Sequence, residues 1–232
     1  MFAVIFVVHP KPGRKDEYLG LAKHLKPILE SIDGFIDNER FESMRTEGDV
    51  LSLSTWRDEK SVIRWRTQSE HHDVQGKGRF GVFEDYHLRV GEVTADSHPP
   101  EDRAVEEMRF DETAVAPAKV CTITEVTPSR SSATTALAGA LPAHLGLDAD
   151  MPGLVDYVVY AGTTIPDKLL VLVDWKDAAS ACIWRPEPFA GISSLRHRQV
   201  RVIRAYGMHD RREAPQYYPD SGTAGSELHS IA

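Results

Sequence analysis

From Phe2 to His9 the chain is almost wholly apolar and rich in β-branched residues, which predicts a strand. The period then changes. Tyr18, Leu21, Ala22, Leu25, Ile28, Leu29 and Ile32 recur at steps of three and four, placing them on one face of a helix. Asp33-Gly34 ends that helix, because glycine enters the left-handed conformation at little steric cost. Two more strands are predicted at about 35–43 and 49–56, joined by a turn around "TEGD". A short helix carrying Trp65 follows, and "FEDYHLRVGEV" (83–93) closes the unit as a fourth strand.

The pattern then repeats. Trp56 and Trp65 are echoed by Trp175 and Trp184 at a shift of 119 residues. Under the same shift Gly34 and Phe35 meet Gly153 and Leu154, and Ile36-Asp37 meet Val155-Asp156. Phe41 meets Tyr160, and the strand ending at Trp56 meets the one ending at Trp175. Further back, Tyr18, Leu21 and Ala22 fall on Leu137, Ala140 and Leu141, and Val4 falls on Ile123. An ungapped register of this length implies an internal duplication. The second copy opens with a Thr-rich strand at 120–127 and closes with "RQVRVIRAYGM".

Each copy reads β-α-β-β-α-β, a ferredoxin-like unit with two helices over one face of a four-stranded antiparallel sheet. The other face needs cover, which the second copy can supply within the chain. The expected fold is therefore α+β, with two such repeats packed sheet to sheet as an intrachain pseudo-dimeric α+β barrel. Residues 1–93 form the first repeat and 117–208 the second. Residues 94–116, with Pro99-Pro100 and an acidic run, are the linker, with a short helix expected at 103–110. Residues 209–232 form a polar tail whose last dozen residues are expected to lack order. One chain buries both sheet faces, and outer-strand pairing leaves room for a homodimer.

Composition narrows the function. At 232 residues, 41% hydrophobic and 27% charged, the chain has enough apolar mass for a real core. A net charge of −8 with no basic block argues against nucleic acid as a partner. The apolar N-terminal run is short and follows no basic segment, so it reads as a strand and not a signal peptide. No run reaches the roughly 18 apolar residues of a membrane span, and a cytoplasmic protein without membrane contact is expected. Cys121 and Cys182 lack CxxC spacing and are expected as two buried free thiols.

The densest group of chemically able side chains is Trp65, His71, His72, Gln75 and Arg79. "W-x8-W" after a strand, then "SEHHDVQGKGR" and "FEDYHLRVGEV", resembles the antibiotic biosynthesis monooxygenase domain of the dimeric α+β barrel superfamily. The resemblance covers residues 2–93 well and 119–208 more loosely. That family includes cofactor-independent oxygenases of quinol-like intermediates, haem-degrading oxygenases, small isomerases, and members without a known reaction. The haem-degrading pattern wants an Asn in the first strand, a Trp in the second helix and a His ten residues later. Trp65 fits, but Gln75 stands at the His position and the only Asn is Asn38; in the second copy Trp184 fits and Ser194 does not.

The resemblance thus implies an oxygenase without bound cofactor, acting on a small hydrophobic, aromatic or quinol-like molecule. Such chemistry needs a base, an anion-holding group and an apolar cavity. His71 and His72 are the candidate bases, and Arg79 the anion holder, since its planar fork keeps its charge. Trp65 is a candidate wall against the substrate ring, with Gln75, His9 and His87 as further substrate contacts. No metal site is expected: adjacent histidines on a helix point about 100° apart, and no Cys or acidic partner stands at ligand spacing. "GKGRFG" (76–81) matches GxGxxG formally, but it follows a helix and starts no βαβ unit. After Trp184 two prolines appear and the His pair is gone, so a single cavity in the first copy is expected. A mirrored site around Arg185 and the Arg196-His197-Arg198 triplet is the alternative location. A non-catalytic ligand-binding or accessory protein, and a haem-binding protein, are the alternative functions.

Overall fold

The computed structural model describes residues 1–101, 103–130 and 134–215. The first half contains β1 (Phe2–Pro10), α1 (Lys15–Ser31), β2 (Phe35–Ser43), β3 (Val50–Trp56), α2 (Glu59–Thr67), α3 (Ser69–Lys77), a π-helical turn (Gly78–Val82) and β4 (Phe83–Asp96). The second contains β5 (Val120–Pro128), α4 (Thr134–His144), β6 (Leu154–Gly162), β7 (Leu169–Trp175), α5 (Ala178–Ile183) and β8 (Ile192–Gly207). Within each half the first strand lies between the third and fourth, as the ferredoxin-like order requires. Two seams, β2 with β6 and β4 with β8, close the halves into one eight-stranded antiparallel barrel. The fold is the expected α+β barrel built from two α+β halves.

Strand alternation sorts side chains between two compartments. Ile5, Phe41, Leu51 and Leu53 of the first half meet Ile123, Tyr160, Leu170 and Leu172 of the second inside the barrel. The opposite faces lie outside the barrel under the helices. Two buried arginines tie the halves together. Arg89 lies opposite Ile5, and Arg198 opposite Ile123, so they are counterparts. Arg89 donates to the carboxylate of Asp174 and to Cys121 Sγ at 3.2 Å. Arg198 donates to Thr55 Oγ1 at 3.0 Å and to Glu125 at 3.1 Å.

The recurring motif W-[RK]-D-x-x-S has a structural reason. Asp58 and Asp177 cap α2 and α5 by accepting from the backbone N–H of Ser61 and Ser180, each at 2.8 Å. Those serines lie against Gly34 and Gly153, which have φ of +89° and +78°. The 119-residue shift holds from β2 through α2. It fails at the first strands, because Phe2 and Val120 occupy matching places opposite Trp56 and Trp175. Val4 therefore matches Thr122, not Ile123. A one-residue error flips a strand's faces, and Val4 does face outward while Ile123 faces the barrel core.

Three other expectations are corrected. No helix forms at 103–110; the backbone N–H groups of Met108 and Arg109 donate instead to the buried Glu92 carboxylate, at 2.7 and 2.9 Å. Cys182 is exposed, and only Cys121 is buried. The second copy's last strand starts earlier than the closing segment read from sequence. Within the tail, Glu213 anchors the chain through Thr113 Oγ1 and the N–H groups of Ala114 and Ala205. The expectation for the last dozen residues lies outside the described residues. Among the described residues no helix is long and apolar enough to cross a membrane.

A Cβ at position 34 or 153 would sit 2.0 Å from the hydroxyl of Ser61 or Ser180, in a backbone conformation that L residues avoid. Gly34→Ala and Gly153→Ala are each predicted to cost about 2 kcal/mol or more. Urea unfolding midpoints measure this, with Gly13→Ala as a control: its φ is also positive, but nothing lies near.

Candidate active site

A cavity of about 190 Å3 lies between the outer face of the first-half sheet and helices α1, α2 and α3. Its walls are largely apolar. Leu21, Leu25 and Leu29 come from α1, Val62 and Ile63 from α2, and Val4 and Phe6 from the sheet floor. This compartment exists because α3 and the π-turn extend the first half beyond the minimal repeat. Gly78 within that turn makes room for the Phe83 ring, whose nearest atom would be 2.4 Å from a Cβ there. The "GKGRFG" run thus shapes the backbone around the cavity end.

Trp65, His71 and Gln75 line this cavity together. The Trp65 indole stacks on Trp56 with centroids 6.5 Å apart, and the His71 ring stacks on Trp65 at 3.9 Å and 12°. Gln68 starts α3 by accepting from His71 N–H, 2.7 Å away, which sets where the His71 side chain leaves the helix. His71 Nδ1 lies 2.8 Å from the Trp65 carbonyl, so Nδ1 carries the proton and donates. Nε2 is left as the acceptor, 3.4 Å from the Gln75 amide nitrogen. Burial against the indole pushes the His71 pKa down to about 4. The ring is a neutral base of fixed tautomer at neutral pH.

The other four nominated residues do not line this cavity. His72 is exposed, as expected for a neighbour about 100° around the helix from His71. Arg79 is buried, but its Nη1 donates to the Met208 carbonyl at 2.8 Å and to Tyr86 Oη at 3.3 Å, tying the π-turn to the end of β8. His9 Nδ1 pairs with Asp49 at 2.5 Å. His87 faces the barrel side, where a second, polar cavity of about 190 Å3 also meets Arg45, Arg89, Asp156 and Asp174. Among the described residues no three His, Cys, Asp or Glu side chains converge in metal-binding geometry.

A model of the antibiotic biosynthesis monooxygenase (ABM) family matches residues 1–77. Over 224 residues the chain is 43% identical to the jasmonate monooxygenase ABM of Pyricularia oryzae, spanning 94% of this chain and 99% of that protein. The chain belongs to the antibiotic biosynthesis monooxygenase family. Among solved structures, an aldoxime dehydratase in complex with butyraldoxime aligns with a TM-score of 0.56 at 12% identity, covering 87% of this chain and 79% of that one. That likeness concerns the fold alone. A crystal structure of an antibiotic biosynthesis monooxygenase aligns at 16% identity and a TM-score of 0.36, over 43% of this chain and 100% of that one.

In this ABM protein the second-half counterpart of the cavity is filled. Trp184 is 2% exposed and its indole N–H donates to the Leu145 carbonyl at 2.8 Å, while Phe189 stacks on His144 at 4.8 Å. The three side chains of the basic triplet do not converge. Arg196 pairs with Asp96, Arg198 is buried in the barrel, and His197 packs its ring edge-on against Trp184 with Nδ1 2.8 Å from Thr124 Oγ1. Residues missed in the sequence complete the first-half cavity: Asn38, Arg40, Ser52 and Ser54 on its floor, and Arg204 and Tyr206 contributed by β8 of the second half. Such outward-facing polar residues on a strand look like ordinary solvated positions until α1 and α2 are seen to cover them.

His197, like His71, has its pKa pushed down to about 4, chiefly by burial. Both bind protons near pH 6.5 when unfolded and only near 4 when folded. Their contribution to stability is therefore complete above about pH 6.5 and is lost as the pH falls through about 4. The urea midpoint is predicted to fall between pH 7 and pH 5, and to fall less in His71→Phe; a midpoint constant over that range would refute the assignment.

Proposed function

We propose that the protein is a cofactor-independent monooxygenase, acting on a small, mostly apolar, jasmonate-like molecule held in the first-half cavity. The observation that carries this reading is His71: a neutral imidazole with one tautomer, its acceptor Nε2 beside the Gln75 amide, in a largely apolar chamber walled by Trp65. The relative named jasmonate monooxygenase supports the substrate type.

A base with a pKa of about 4 is weak, so the proton must come from an acidified group. A C–H beside a ketone, or a phenolic O–H, meets that need. His71 Nε2 takes the proton, and the carbanion or phenolate gives one electron to dioxygen. The resulting radical pair combines to a peroxide, which recovers the proton from His71. Loss of the second C–H proton with O–O cleavage then leaves a carbonyl. The balance is CH2 + O2 → C=O + H2O, so no outside reductant is consumed. Trp65 and the aliphatic walls keep water away from the intermediate.

Oxygen uptake with jasmonic acid and with quinol-like aromatics tests this. One equivalent of O2 per turnover is expected without added reductant, with one labelled oxygen atom entering the product. His71→Ala is expected to lower kcat about a hundredfold or more. The acid limb of the kcat/KM profile is expected near pH 4 and not near 6.5, because only the neutral ring accepts a proton. Ligand binding without oxygen uptake would replace this reading with that of a binding protein.

A further inference from the structure

The duplication supplies an internal control for the cavity floor. In the first half, Asn38 lies opposite Ser54 and Arg40 opposite Ser52. All four line the cavity. The same register in the second half places Tyr157 opposite Val173 and Val159 opposite Val171. Those four pack into the core beneath α4 and α5. The repeat therefore folds with an apolar set at these positions, and the polar set of the first half has to be explained by something other than folding.

Three of its four members are satisfied within the protein. Asn38 Nδ2 donates to Ser52 Oγ and to the Leu53 carbonyl, each at 3.0 Å, and Ser54 Oγ accepts from the Trp56 indole at 2.9 Å. Arg40 stands apart. Its guanidinium bonds the hydroxyl of Tyr18, a neutral buried group, and its Nε is buried without a partner. The flanking carboxylates are taken: Lys168 holds Glu39 and Lys15 holds Glu42. Among the described residues no ion pair joins Arg40 to a carboxylate. A half-buried cation facing an apolar cavity is costly unless a counter-charge arrives.

We propose that Arg40 is the anion anchor of this cavity, which takes small apolar carboxylic acids in their ionised form. The planar guanidinium matches a carboxylate in fork geometry, and the aliphatic walls take the remainder of such a molecule. This names the substrate class of the site described above. It rests on that functional reading for the reaction alone, because binding can be measured without turnover.

Calorimetry with jasmonic acid and its methyl ester at pH 7 tests the proposal in the wild-type protein, Arg40→Val and Arg40→Lys. The wild type is expected to bind the acid at least about tenfold more tightly than the ester. Arg40→Val is expected to abolish that preference while holding the ester's affinity within about twofold, and Arg40→Lys to retain part of the preference. Valine is the second-half residue at this position, so the ligand-free melting temperature of Arg40→Val is expected to equal or exceed that of the wild type. Equal binding of acid and ester by the wild type would overturn the proposal. So would a preference that survives in Arg40→Val, which would assign the anion to Arg66 or Arg204, or failure of the acid to bind. Oxygen uptake on the same proteins separates the two readings. An acid preference without uptake rejects the oxygenase and leaves the anchor; uptake from acid and ester with equal affinity rejects the anchor and leaves the oxygenase.

Discussion

A four-stranded ferredoxin-like sheet ends in two unpaired edges and has one apolar face with nothing to cover it. Either feature would drive association with other chains. In this protein the seams β2–β6 and β4–β8 pair all four edges within one chain, and the two bare faces become the barrel interior. The closure is not purely apolar. Arg89 crosses to Asp174 of the other half and Arg198 crosses to Thr55, and Asp174 and Thr55 are themselves counterparts under the 119-residue shift. Each half thus sends a buried cation to the same place in its partner, and one pair has kept a carboxylate where the other carries a hydroxyl. Since a buried guanidinium left without its acceptors is strongly destabilising, these contacts fix which strands meet. With the interior committed to closure, a cavity of apolar walls is left the outer faces, between sheet and helices.

The two outer faces differ in opposite ways. In the first half, α3 and the π-turn lengthen the cover and hold Trp65 and His71 over a hollow floor. In the second, α5 stops at Ile183, Pro186 and Pro188 follow, and Trp184 drops onto the Leu145 carbonyl to fill the space. The equivalent tryptophans mark the difference: Trp184 is fully buried core, while Trp65 keeps partial exposure and presents a face to a histidine. A solidly packed half adds stability that the hollow half forgoes. The second half is not merely a spare, since β8 places Arg204 and Tyr206 at the first-half cavity.

Much of the fold was legible because it is written twice. Glycine at the helix end, W-[RK]-D-x-x-S and the strand periods each recur, and each recurrence at one spacing checks the other. The one-residue slip at the first strands escaped because two apolar strands align plausibly in either register; only the pairing opposite Trp56 and Trp175 decides it. The cavity lining was legible in part. Trp65, His71 and Gln75 share the cavity, being set by one helix start and one stack. His72, Arg79, His9 and His87 were nominated for nearness along the chain or for chemical type, and neither says which face a side chain takes. Arg79 shows the reason most plainly, because its partner Met208 lies 129 residues away. Arg40 was legible in principle: comparing the polarity of Asn38, Arg40, Ser52 and Ser54 with Tyr157, Val159, Val171 and Val173 isolates it without any structure.

The electrostatics of His71 and of Arg40 depend on each other under the proposed reading. Were His71 charged at neutral pH, the cavity would hold a further cation beside Trp65, in addition to Arg40, Arg66 and Arg204, and an acid could bind in two directions. Burial and the bond from Nδ1 to the Trp65 carbonyl keep the ring neutral until the pH approaches about 4. The carboxylate of a bound acid is ionised at neutral pH, because aliphatic carboxylic acids, like Asp and Glu, titrate well below pH 7. A neutral imidazole would leave the anion to the arginine floor and keep Nε2 for an apolar part of the ligand. The depressed pKa, which makes His71 a modest base, would then also give the substrate a single orientation, and orientation is a larger lever on rate than an added unit of basicity.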